Sequence, residues 1–276
     1  MEGFAAKCGI LSISLIGSLA LFSPGAHSQQ APSPVFSVSS DTAWAGIGGG
    51  ELLPVEGSPK PVTQDPRYHY QPNGPGQASF RISDTTNPNL KDWARELMKK
   101  DNAEVLAGKI AYTPRSSCKP GGVPGFIAMG GGALFVVQSE KEVTMIFDGN
   151  AETRHIYLNV PHGANPKPSW YGDSIGHYEG ETLVVDTIAL NDKSFVDAYR
   201  TPHTDKIHVT ERWRLTNNSD TLEVVATIDD PDTFNQPWQA MRRYRKGEKA
   251  LTENICAENN TNLFDYGTPT ADKADF

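Results

Sequence analysis

The chain is poor in cysteine, and its three cysteines, Cys8, Cys118 and Cys256, show no CxxC spacing. There is no HExxH either, so neither local zinc signature is present. Basic charge is also scarce. A net charge of −8 and a pI near 5.4 argue against nucleic acid as a partner. No segment repeats along the chain, which excludes propellers and solenoids. The glycine-rich Met129-Gly130-Gly131-Gly132 lacks the lysine and the helix of a phosphate loop, and no organic cofactor is expected.

Long apolar runs are absent except at the start. Gly9–Phe22 is uncharged, follows Lys7, and ends at Ser23-Pro24-Gly25 before the small-x-small Ala26-His27-Ser28. About 14 residues are too few to span a bilayer comfortably. The segment 1–28 therefore reads as a cleaved signal peptide, and the setting as periplasmic or secreted, with no membrane span after cleavage. Export makes the cysteines informative. Cleavage leaves Cys118 and Cys256, and two thiols in an oxidising compartment are most simply one disulfide.

Residues 29–78 are rich in Pro, Gly, Ser and Gln and read as a partly disordered arm. The β domain is expected over 79–262, with a tail at 263–276. One amphipathic helix is predicted over 87–107. Asn87 can cap it, Gly108 can stop it, and Leu90, Trp93, Ala94, Leu97 and Met98 share a face. After Gly132 the period changes to two. Ala133–Gln138 with Glu142–Phe147, Ser174–Tyr178 with Thr182–Ala189, and Lys206–Thr216 with Thr221–Asp229 form three hairpin patterns. Pro237–Arg245 with Leu251–Glu258 suggests a fourth. The fold class is mainly β: a single antiparallel barrel or sandwich, with the barrel preferred.

Chemistry concentrates in one stretch. His155, His162, His177, His203 and His208 fall there among acids and arginines. The strand at 206–216 puts Glu211 on the face of Ile207, Val209, Trp213 and Leu215, which should point inward. Asp186 lies within a similar apolar run. An inward acid is either a proton-transfer group or half of a buried ion pair, with Arg242 or Arg154 as the partner. His203 and His208 flank the entry to the Glu211 strand. The expected catalytic set is Glu211, His203, His208 and Asp186 at a barrel mouth. His177, Arg212, Arg154 and Trp170 are expected to contact a small-molecule ligand, and no metal is expected. Gly172-Asp173-Ser174-Ile175-Gly176 matches GxSxG in letters, but it leads into a β-hairpin rather than the helix a nucleophile elbow needs.

The segments Trp170–Thr187, His203 with His208-Val209-Thr210-Glu211-Arg212, Thr227–Pro231 with Pro237-Trp238, and Cys256-Ala257-Glu258-Asn259 together resemble a family of exported bacterial proteins of unassigned function. The resemblance covers roughly residues 87–262. It implies a bacterial periplasmic or secreted setting and no particular reaction. The Gly180–Val185 hairpin is also loosely similar to lipocalin-like barrels. Three functions fit these residues: a cofactor-independent acid–base lyase, isomerase or hydrolase; a non-catalytic ligand-binding or envelope protein; and a metal-dependent hydrolase.

Overall fold

The structure is a computed structural model that describes residues 34–69, 81–108, 113–128, 132–149 and 152–255. The signal segment, Cys256 and the tail 263–276 lie outside the described residues. The described chain forms a closed barrel. Its strands are β1 (Thr42–Gly46), β3 (Ala133–Gln138), β4 (Glu142–Phe147), β5 (Glu152–Leu158), β6 (Asp173–Glu179), β7 (Thr182–Ile188), β8 (His208–Thr216), β9 (Thr221–Asp229) and β10 (Trp238–Glu248). They pair in that order, and β1 pairs back onto β10 to close the ring. A short strand, β2 (Leu53–Pro54), adds to the β10 edge beyond β1.

The three predicted hairpins are present with nearly the expected limits. The purely antiparallel pattern needs one correction, because β5 and β6 pair in parallel at Tyr157↔Ile175 and Leu158↔Gly176. Closure explains the seam. Strand direction reverses at every antiparallel pairing, so a closed ring with an odd number of strands must contain a parallel pairing. The connection from Leu158 to Asp173 consequently crosses the length of the barrel instead of turning tightly.

The predicted arm and fourth hairpin are corrected together. Residues 42–46, expected to be part of an extended arm, are the strand that closes the barrel. Thr42 and Trp44 are buried, and Trp44 Nε1 donates to Phe36 O at 2.9 Å. Residues 251–255 form no strand, since β1 already occupies the β10 edge they were expected to fill. Gly46 leaves room there for the Arg242 guanidinium. A Cβ at this position would lie 2.5 Å from Arg242 Nη2, whose guanidinium donates to Ile47 O at 2.8 Å.

The helix α1 (Asp92–Leu106) is shorter than the predicted 87–107. Asn87 does not cap it. Its Oδ1 accepts from Asn89 N two residues on, and the residue at the cap, Lys91, makes no side-chain cap bond. Gly108, at φ +88, ends the helix as expected. The buried face is Ala94, Met98, Asn102 and Val105, while Trp93 and Leu97 are 43 % and 39 % exposed. Ala94 and Met98 join a continuous core with the short helix α2 (Gly125–Ala128) and the inward strand residues, among them Met145, Ile156, Leu183, Val185 and Trp213. Among the described residues no helix is long and apolar enough to cross a membrane.

The barrel's two ends differ. One carries the tight turns 139–141, 180–181 and 217–220, the last with Asn217, Asn218 and Ser219 at φ of 51°, 53° and 70°. The other carries the long connections 189–207 and 230–237. Helix α1 sits against this second end. Lys91 N donates to Thr233 O, Trp93 Nε1 donates to Asp232 O, and Arg200 pairs with Asp101.

Candidate functional site

Glu211 points into the barrel with Val209 and Trp213, as the alternation of β8 requires. It is sealed from solvent. Arg154 from β5 reaches it with Nη1 at 3.0 Å from Oε1 and Nη2 at 2.6 Å from Oε2, and both side chains are 0 % exposed. On the way the guanidinium donates to Thr187 Oγ1 at 3.0 Å and to Ser174 Oγ at 3.3 Å. The pair therefore crosses the interior faces of β5, β6, β7 and β8. Of the two readings of an inward glutamate, this geometry is that of the ion pair. Arg154 is fully committed to it and contacts no open site. Ser174, the central letter of the GxSxG match, is buried in the same network.

Asp186 is not inward. Leu183, Val185 and Thr187 take the interior of β7, so period two turns Asp186 out. There it becomes the centre of a cluster at the long-loop end. His208 Nε2, from the first residue of β8, lies 2.9 Å from Asp186 Oδ2. His162 Nε2, from the crossover, lies 2.8 Å from Asp186 Oδ1. His162 Nδ1 faces Asp173 Oδ2 at 3.1 Å, and that oxygen also accepts from Gly163 N at 2.9 Å. The array runs Asp173–His162–Asp186–His208. Both His162 contacts are hydrogen bonds only when both ring nitrogens carry protons, because carboxylates can only accept. Burial pushes the Asp186 carboxyl up, but the hydrogen bonds from His162 and His208 outweigh it and hold it below its ordinary value. The His208 side chain is 44 % exposed, and its Nδ1 has no hydrogen-bond partner among the described residues. The sequence points to His208 and Asp186 but groups them with Glu211 and His203, neither of which reaches this cluster. It had no signal for the part played by Asp173 and His162, which meet through the parallel seam.

His203 is buried rather than at an open mouth. Its Nδ1 donates to Thr204 O at 2.9 Å and its Nε2 lies 2.9 Å from Ser194 Oγ. Burial pushes the imidazole below its ordinary value. The Thr204 carbonyl and the charges of Asp230 and Asp192 oppose this without overcoming it.

The remaining expected ligand contacts are dispersed. His177 and Arg212 lie on the exposed outer face toward the tight-turn end, where both meet Glu179, at 3.2 and 2.8 Å. Trp170 is half-buried in the crossover, and its carbonyl accepts from Val123 N. They do not join the Asp186 cluster. Cys118 ends a short 3-10 turn at φ +54, and Cys256 lies outside the described residues. Among the described residues no three or more His, Cys, Asp or Glu side chains converge to hold a metal ion.

Comparison of the chain with protein-family models, with curated proteins and with solved structures finds no match in any of the three. Function must be argued from the arrangement of these side chains alone.

The state of His203 makes stability depend on pH. Its folded value lies below the ordinary 6.5, so in the window between them the unfolded chain binds a proton that the folded chain does not. The contribution is fully present above pH 6.5 and is lost as pH falls through the folded value. The slope is at most about 1.4 kcal/mol per pH unit. Chemical denaturation at pH 7.5 and 5.0 should show a loss of stability that shrinks in His203→Gln. An identical loss in the variant would contradict the assignment.

Proposed function

We propose that this is an exported protein of the periplasmic or extracellular space that acts on a small molecule by proton transfer, with Asp186 and His208 as its acid–base pair. The observation that carries this reading is the Asp186–His208 contact on a half-exposed His208 whose second nitrogen has no partner among the described residues. A carboxylate only accepts, so His208 presents its N–H at Nε2, and in the neutral ring Nδ1 carries the lone pair. That nitrogen can take a proton from a substrate or a water. Asp186 then stabilises the imidazolium, as the acid of an acid–His pair does in general base catalysis. His162, held by Asp173, balances the Asp186 charge from the other side and fixes its orientation. Such a site suits a lyase, isomerase or hydrolase that needs no organic cofactor. The exposure of the cluster also fits plain ligand binding, and the experiment separates the two.

A thermal-shift screen of small polar compounds should find one that stabilises the protein and is consumed by it. His208→Gln should lower turnover by about 10²–10⁴-fold. Asp186→Asn should do the same, while the ligand-free variants lose no more than about 1 kcal/mol, because the pair is partly exposed. Binding that persists without any turnover in the wild type would make this a binding protein. Hits unaffected by either variant would remove the cluster from the function.

The export reading extends to the cysteines, which we assign to one disulfide between Cys118 and Cys256. Its support is where the flanking segments dock. Asn254 Nδ2 donates to Gly149 O at 2.8 Å, and Arg115, three residues before Cys118, lies 5.2 Å over the ring of Phe147. Both segments thus dock on the same end of β4. Peptide mapping of unreduced protein recovered from an oxidising compartment should yield the linked pair, whereas free thiols at both positions would rule it out.

A further inference from the structure

The connection 189–207 holds a second arrangement, which shares no residue with the Asp186 cluster. His203 Nδ1 faces the carbonyl oxygen of Thr204, which can only accept, so the ring proton sits on Nδ1 and Nε2 is a bare acceptor. The hydroxyl of Ser194 is therefore the donor in the 2.9 Å contact with Nε2. This is the hydrogen-bond order of a serine nucleophile and its histidine base, with a backbone carbonyl as the group that orients the base.

The orienting carbonyl is itself held. Asp230, 1 % exposed, accepts from Thr204 N at 2.7 Å, from Thr204 Oγ1 at 2.9 Å and from Thr233 Oγ1 at 2.7 Å. That clamp gives the acidic turn after β9 a positioning role. The backbone N–H groups of Ser194 and Phe195 have no hydrogen-bond partner among the described residues.

Ser194 and His203, each 3 % exposed, lie in the wall of a neighbouring cleft. This cleft measures about 480 Å³, and its walls include Trp93, Leu97, Phe195 and Pro202. The cleft accounts for two of the large apolar side chains that α1 leaves exposed, Trp93 and Leu97, four residues apart on one face. Asp192, Asp205 and Asp232 stand on its rim against Lys193, so the rim is acidic and disfavours anionic ligands.

We propose that this cleft is a carboxylic-ester hydrolase site for uncharged or cationic esters with a small apolar acyl group, with Ser194 as nucleophile and His203 as general base. Ser194 Oγ bonds to the acyl carbon while its proton passes to His203 Nε2. The carbon–oxygen bond to the alcohol breaks, and the alcohol leaves with that proton. Water then attacks the acyl-serine, gives a proton to His203, and releases the acid and the free hydroxyl. The co-reactant is water alone. Failure of this site would leave the Asp186–His208 reading untouched, because the two have no group in common.

The test is an alkyl fluorophosphonate on the whole chain, followed by peptide mapping. The expected result is one phosphonyl group on Ser194, with fluoride displaced, and hydrolysis of p-nitrophenyl acetate by the same protein. The wild-type label does not depend on any variant folding. His203→Gln should slow labelling by at least about 100-fold, in line with loss of a general base. Ser194→Ala should abolish both label and hydrolysis. Folded wild-type protein that takes no label at Ser194 would overturn the proposal. So would hydrolysis that is equal in wild type and Ser194→Ala.

Discussion

The barrel depends on one interaction, the buried pair between Arg154 and Glu211. Two unit charges have been removed from water, each at a cost of several kcal/mol even after relaxation. Their mutual attraction offsets that cost only because the contact is two-pronged and Ser174 and Thr187 accept from further donors of the guanidinium. The pair also fixes register. A slip of one residue in β8 would turn Glu211 outward, bring Arg212 in, and set two arginines face to face across the interior. The interior also holds Arg242 and the Arg115–Glu152 pair, and around these charges it is apolar and packed, with Trp213 stacked on Tyr244 at 6.0 Å between centroids. Hydrophobic burial drives closure, and the ion pair selects which closed arrangement forms.

That division of labour explains where the chemistry lies. An interior filled by large side chains and sealed charges has little to offer a ligand. The tight-turn end presents short hairpins. The opposite end receives every long connection, and there side chains from distant parts of the chain meet. Asp186 and His208 stand on neighbouring strands, His162 arrives through the crossover, and Ser194 and His203 lie on one loop that Asp230 braces from another. The rigid barrel holds the positions, and the loops supply the groups.

Much of this was legible in the sequence, and the reason is periodicity. The three central hairpins, the inward face of β8 and the parity of Arg154 with Ile156 and Leu158 all follow from alternation. Glu211 was found as the one acid on an apolar face, and Arg154 was among its possible partners. What escaped has equally physical causes. The strand at 42–46 is five residues long in a Gly- and Ser-rich stretch, and only pairing with β3 and β10 makes it a strand. Closure with an odd strand number forces a parallel seam that no local pattern records. Asp186 was placed inward because Val184 also looks apolar, yet Val184 packs on the outer face with it. The Ser194–His203 contact is invisible in the sequence, because neither residue lies in a periodic element.

The most direct test of this account is a double-mutant cycle on the buried pair, read by urea denaturation. Arg154→Met and Glu211→Leu alone should each cost about 3–5 kcal/mol, because each strands a buried charge. The double variant should lose far less than the sum, leaving an interaction energy of at least about 2 kcal/mol. Single variants that each cost under about 1 kcal/mol, or effects that simply add, would show that the barrel does not depend on this pair.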